Sequence, residues 1–176
     1  MTTEILLAGF GGQGILFAGK ILAYCGLMDN KELSWLPSYG PEMRGGTCNC
    51  SVCISDEPIG SPLVTTPDLL IVMNQPSFDK FVPCVREGGK VFFDSTLIDA
   101  QTDRKDISLF GIPSQQLADD NDLKGGSNII LLGKLLKETN ICSLDVMKKA
   151  IEKVVPPKKA ALIPNNFKAI DLGMNA

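Results

Sequence analysis

The sequence predicts an α/β fold on a mostly parallel sheet. Three observations carry this. Residues Ile5, Leu6, Leu7 and Ala8 form a continuous apolar run, as in a strand buried on both faces. A glycine-rich turn follows, and then apolar residues recur at helical spacing. Further along, short apolar runs alternate with helical patterns, which is the signature of strand–helix–strand units.

Taken in order, Glu4 to Ala8 is the first strand and Gly9 to Gly14 turns the chain. Ile15, Leu16, Ala18, Gly19, Leu22 and Ala23 then mark a helix to about Gly26. Leu33 to Leu36 is a short second strand, expected to stop at Pro37. Thr47 to Ser55 is rich in β-formers, and Pro58 to Val64 is expected to return as its hairpin partner, a β-hairpin insertion in the sheet. Leu69 to Met73 is another buried strand. Gln75-Pro76-Ser77 starts a helix with Phe78, Phe81, Val82 and Val85 on its apolar face, and Gly88-Gly89 is expected to end it. Lys90 to Asp94 and Ile107 to Ile112 complete the strands. Ser114 to Ala118, Ser127 to Lys137, Leu144 to Val154 and a segment within Ala160 to Leu172 read as helices, the last two separated by Pro156-Pro157.

Composition narrows the function. The chain has 176 residues, 44% hydrophobic and 21% charged, which fits one domain over 1–176 with a substantial core. A net charge of -3 does not suit nucleic acid or an anionic membrane surface. No apolar run is long enough to cross a bilayer, and Met1-Thr2-Thr3-Glu4 lacks the basic start of a secretory signal, so a cytoplasmic location is expected. The six cysteines are then expected to be reduced. Histidine is absent, which removes the commonest general base and every triad built on it. No catalytic residue is expected in this chain; the difficult chemistry falls to a cofactor or another subunit.

The densest functional signal is Ser38-Tyr39-Gly40-Pro41-Glu42-Met43-Arg44-Gly45-Gly46. Arg44 offers a planar fork of donors for phosphate or carboxylate. Glu42 can orient that fork, and Tyr39 brings a flat amphipathic face. Gly45 and Gly46 allow close approach of a ligand.

A second signal is Gly9-Phe10-Gly11-Gly12-Gln13-Gly14, a G-x-G-x-x-G pattern between a strand and a helix. Free N–H groups at a helix start favour an anion. The dinucleotide version of this motif needs an acid at the end of the second strand; Asp29 and Glu32 lie before that strand. Asn74 and Gln75, at another strand end, are candidates to read a polar ligand or to cap a helix. Cys48, Cys50 and Cys53 have a metal-like spacing, but strand alternation puts Cys48 and Cys50 on one face and Cys53 on the other, so no metal site is expected. The lysines at 148, 149, 153, 158 and 159 read as a solvated face or a subunit contact.

Together, Gly9–Ile15, Ser38–Thr47, Ser51-Val52, Pro67-Asp68 and Met73–Ser77 resemble the gamma subunit of 2-oxoacid:ferredoxin oxidoreductases, in order along the chain. The resemblance implies a Rossmann-like three-layer sandwich. It implies an enzyme that oxidatively decarboxylates a 2-oxoacid with coenzyme A, giving acyl-CoA, carbon dioxide and reduced ferredoxin. The Ser38–Thr47 segment leans towards 2-oxoglutarate or a branched-chain 2-oxoacid. Thiamine diphosphate and [4Fe-4S] clusters are expected in partner subunits (alpha, beta and a ferredoxin-like delta), with ferredoxin as electron acceptor. This subunit is expected to be inactive alone and to help bind coenzyme A through Gly11, Gly12, Gln13, Gly14, Ser38, Tyr39, Glu42, Arg44, Gly45, Gly46, Asn74 and Gln75.

Overall fold

A computed structural model describes residues 2–39 and 47–176. Its strands are β1 (Thr2–Phe10), β2 (Glu32–Tyr39), β3 (Thr47–Ser55), β4 (Leu69–Val72), β5 (Lys90–Asp94) and β6 (Ser108–Ile112). Its helices are α1 (Ile15–Met28), α2 (Gln75–Phe81), α3 (Ser114–Asp120), α4 (Ser127–Thr139), α5 (Leu144–Val154) and α6 (Ile163–Asn175). The strands form one sheet in the order β2-β3-β1-β4-β5-β6. The β1–β4, β4–β5 and β5–β6 pairs are parallel. Strand β3 runs antiparallel between β2 and β1. The expected α/β architecture is therefore present, with a hairpin inserted at one side.

That hairpin is not the expected one. Strand β3 already pairs on both sides, with β1 and with β2, so no edge remains for residues 58–64. These form a loop instead, pinned where the Val64 N–H donates to Ser51 Oγ at 3.2 Å. Strand β2 also runs through Pro37 to Tyr39 rather than stopping there. An edge strand needs no donor on its open side, so a proline is tolerated. Helix α2 ends at Phe81, earlier than Gly88-Gly89. Pro83 lacks the N–H that would continue it, and the chain passes into a short 3-10 turn over Val82–Cys84.

Alternation along the strands divides the core in two. Ile5, Leu7, Cys48, Cys50, Val52 and Ile54 face the layer of α1, α4, α5 and α6. Leu6, Ala8 and Cys53 face the opposite layer, where Phe78 of α2 and Val64 pack. This is the split that a period of two dictates. Helices α4 and α6 touch through glycine: a Cβ on Gly133 would strike the Ile170 carbonyl, and one on Gly173 the Ile130 carbonyl. No helix among the described residues is long and apolar enough to cross a membrane.

Candidate functional site

Strands β1, β4, β5 and β6 all end at one edge of the sheet. Strand β2 ends there too: Phe10 pairs with Thr47, and Tyr39 with Cys48. Ligands of open α/β sheets bind at this edge. The turn after β1 is built for close approach. Gly12 and Gly14 sit at φ 100° and 76°, conformations that side chains resist. Gln13 holds the turn from within. Its Oε1 accepts from the Phe10 N–H at 2.7 Å, and its Nε2 donates to the Met73 carbonyl at 2.8 Å. A side chain at Gly9 would displace it, since a Cβ there lies 2.6 Å from Gln13 Oε1.

Beside this turn lies a cavity of about 340 Å³, lined by Gly12, Gly14, Lys124, Gly126, Asn128 and Lys159 among others. The starts of α1 and α4 both open onto it, capped by Gly14 and Gly126. Neither start has a side-chain cap or an acidic residue in its first turn. At α4 the Gly126 and Ile129 N–H groups already donate to the Leu123 and Gly126 carbonyls, so what each start offers an entering group is its remaining first-turn N–H groups and its positive dipole end. Lys124 and Lys159 add cationic charge, so the cavity favours an anion such as phosphate. Asn128 is 2% exposed and bridges the two helix starts: its Nδ2 donates to the Gly14 carbonyl at 3.0 Å.

The start of α4 is anchored from below. Asp94, fully buried at the end of β5, accepts from the Thr96 N–H at 2.9 Å, the Gln115 N–H at 3.0 Å and Ser127 Oγ at 3.2 Å. Ser127 Oγ is also 2.8 Å from Ser114 Oγ. A buried carboxylate satisfied by three donors fixes the elements that supply them.

The other sequence candidates fall in different places. Gly11 stands in the turn with Gly12, Gln13 and Gly14. Ser38 is exposed at the end of β2, paired with Asn49. Only the backbone of Tyr39 is described, and Gly40, Glu42, Arg44, Gly45 and Gly46 lie outside the described residues. Asn74 and Gln75 begin α2, on the other side of the sheet from the cavity. Asn74 Oδ1 accepts from the Ser77 N–H at 2.8 Å as a helix cap. Gln75 exchanges hydrogen bonds with the Asp99 backbone and donates to Asp79 Oδ1 at 2.8 Å. Asn74 also borders a small cleft with Phe10, Thr47, Cys48 and Lys80, next to the strand ends that flank residues 40–46.

Lys124, Gly125, Gly126, Asn128 and Lys159 were not legible as site residues. The one available signal was the Gly125-Gly126 pair before a helix, a shorter echo of the first turn. Lys159 belonged to a run read as solvated surface, yet it lines the cavity. Cys48, Cys50 and Cys53 are all buried. Burial pushes their thiols up, that of Cys50 to about 12, which makes Cys50 a poor nucleophile.

Comparisons with known proteins agree on a kind. The family model described as pyruvate ferredoxin/flavodoxin oxidoreductase matches residues 4–176. A 2-oxoglutarate synthase subunit KorC from Methanocaldococcus jannaschii is 44% identical over 161 residues, 89% of this chain and 85% of that protein. The gamma subunit of a keto/oxoacid ferredoxin oxidoreductase from Geobacter sulfurreducens PCA superposes with a TM-score of 0.83 at 30% identity, over 98% of this chain and 96% of that one. A longer chain, the 2-oxoglutarate:ferredoxin oxidoreductase of Magnetococcus marinus solved with 2-oxoglutarate, coenzyme A and succinyl-CoA, shares the fold. Its TM-score is 0.87 at 22% identity, over 99% of this chain and 30% of that one.

Proposed function

Because this chain belongs to the pyruvate ferredoxin/flavodoxin oxidoreductase family, as a gamma-type subunit of a 2-oxoacid:ferredoxin oxidoreductase, we propose that it binds coenzyme A at the C-terminal edge of its sheet. Residues 1–176 form one domain in this reading. The observation that carries it is the convergence of two helix starts without side-chain caps, Lys124 and Lys159 on one cavity beside Gly12 and Gly14. Phosphates of coenzyme A suit that chemistry. In the same reading the segment Ser38 to Gly46 contributes Arg44 as a second phosphate clamp, Glu42 as its orienting partner and Tyr39 for the organic part of the ligand.

The 2-oxoacid reacts elsewhere in the assembled enzyme. Thiamine diphosphate in the alpha and beta partner subunits supplies the decarboxylation chemistry, and [4Fe-4S] clusters there and in a ferredoxin-like delta subunit pass electrons to ferredoxin. This chain holds the nucleotide end of coenzyme A so that the thiol reaches that centre and leaves as the acyl thioester. The lack of histidine fits a chain that positions and does not react. The opposite facing of Cys50 and Cys53 fits clusters carried by partners. The likeness to a 2-oxoglutarate synthase subunit favours 2-oxoglutarate as the 2-oxoacid.

A nicotinamide dinucleotide is less well supported. Strand β3 separates β1 from β2, so the end of the second strand is not beside the glycine turn, where the ribose would need an acid.

Steady-state kinetics of the assembled enzyme test the proposal. Replacing Lys124 and Lys159 together by alanine should raise the KM for coenzyme A by about tenfold or more, the scale of one or two lost charge-assisted contacts, with kcat and assembly kept. An unchanged KM in an intact complex overturns it. Arg44→Ala tests the second clamp by the same reading.

A further inference from the structure

We propose that Cys25 and Cys142 are an oxidisable pair, which a hydroperoxide converts to a disulfide tying α1 to the turn between α4 and α5. Cys25 lies in the last turn of α1 and is 2% exposed. Its thiol donates to Met147 Sδ at 3.8 Å, which brings the start of α5 against the end of α1. Cys142 stands two residues before α5 and is only partly buried. It packs on the core that holds Cys25 and Met147, with its thiol in hydrogen-bonding contact with that of Cys25. The other thiols are placed differently. Cys48 and Cys50 are two residues apart on one strand, which holds their Cα atoms about 6.6 Å apart with side chains side by side, near the outer limit of a bridgeable span. Cys53 faces the opposite layer, and exposed Cys84 turns back to the Lys80 carbonyl of its own helix.

The difference in exposure sets the order of events. Cys142 meets the hydroperoxide first. Its sulfur attacks the peroxide oxygen, the O–O bond breaks, and an alcohol (water, from hydrogen peroxide) leaves with the thiol proton. Cys142 is then a sulfenic acid. The Cys25 sulfur attacks that sulfur; the S–S bond forms, the S–O bond breaks, and the hydroxyl leaves as water with the Cys25 proton. Two thiols lose two electrons together, and one peroxide bond takes them up. Contact with Cys142 and burial raise the Cys25 thiol, which suits a resolving thiol rather than one that attacks peroxide itself.

The bond joins the far ends of the two helices that border the cavity. Helices α1 and α4 both start there, at Gly14 and Gly126; Cys25 lies near the other end of α1, and Cys142 just past the other end of α4. The pair is distant in sequence, so the link restricts the unfolded chain strongly, and the oxidised form should be the more stable one. None of this depends on the coenzyme A reading.

Peptide mapping tests the proposal. The full folded chain is treated with hydrogen peroxide, its remaining thiols are alkylated, and it is digested without reductant for mass spectrometry. The unaltered chain should yield a peptide pair linked through Cys25 and Cys142 that dithiothreitol separates. At the same dose Cys142→Ser should return Cys25 as a free thiol. Cys25→Ala should leave Cys142 as a sulfenic acid that dimedone traps. The Tm of the linked chain should rise by about 5 °C or more. Cys142 carried to oxygen acids in the unaltered chain while Cys25 stays free overturns the proposal, as does oxidation of Cys25 in Cys142→Ser. An unchanged or lower Tm with the link in place also overturns it, since the bond then forms only by distorting the fold. If Cys25→Ala does not fold, the map of the unaltered chain decides.

Discussion

The Gln13 Nε2 donates to the carbonyl of Met73 at 2.8 Å, which ties the turn after β1 to the end of β4. With its oxygen on the Phe10 N–H, the amide acts as a staple inside the turn. Gln13→Ala removes both bonds and leaves two backbone groups to find water. A loss of about 2 kcal/mol in stability is expected, from two hydrogen bonds of ordinary worth. Urea unfolding checks it, and the coenzyme A KM should rise alongside as the turn loosens.

Gly12 and Gly14 should respond differently to alanine. Both have positive φ, but a Cβ on Gly12 meets nothing, whereas one on Gly14 runs into the Asn128 amide. Gly12→Ala should cost about 1–2 kcal/mol from backbone strain alone. Gly14→Ala should cost more and also abolish the Asn128 bridge. Denaturation midpoints rank the two; equal values would contradict the geometry.

Asp94 should tolerate substitution poorly. Asp94→Ala removes the acceptor of three donors, the buried Ser127 Oγ and the part-buried N–H groups of Thr96 and Gln115, and about 3 kcal/mol of lost stability is expected. Hydrogen exchange should localise the damage to the start of α4.

Gly133→Ala and Gly173→Ala each force α4 and α6 apart, because the added carbon lands on backbone of the facing helix. Backbone cannot rotate away as a side chain can. An overpacking loss of about 3 kcal/mol is expected for either. In the double variant the losses should fall short of additive, since the first separation accommodates the second methyl. Thermal melts of the single and double variants check this.

Alkaline pH should destabilise the chain through its thiols. Burial raises Cys48, Cys50 and Cys53, and a hydrogen bond with Cys142, together with burial, raises Cys25. A raised folded value means that the folded state keeps protons the unfolded state loses. The contribution is intact below about pH 8.5 and is lost as pH climbs, at about 1.4 kcal/mol per unit for each fully shifted thiol. For Cys50 the window extends to about 12. Unfolding midpoints between pH 8 and 10 should fall, and fall less steeply in Cys50→Ala. Exposed Cys84 should alkylate first.

The sequence announced its strands and helices because their apolar periods are long and clean, as in β1 and α1. It misjudged the hairpin because pairing is a tertiary choice: Pro58 to Val64 has strand-like residues, but β3 had two better partners. Pro37 misled for a related reason, since only the position of β2 at the edge of the sheet makes a proline harmless there. At the site, the first glycine turn was readable from its motif. Asn128 was not, because it joins the site only through its contact with the Gly14 carbonyl, across 114 residues of chain.

Strand β1 comes first in the chain but sits inside the sheet, with β3 on one side and β4 on the other. During synthesis it must therefore wait. The helix α1 that follows can form locally, yet the strand beneath it has no neighbour until residues 47–72 have been made. The glycine turn, suspended between β1 and α1, cannot acquire its fixed shape before β4 arrives to offer the Met73 carbonyl to Gln13. The turn should thus gain its ligand-binding shape only after β3 and β4 have been made, although it precedes both in the chain.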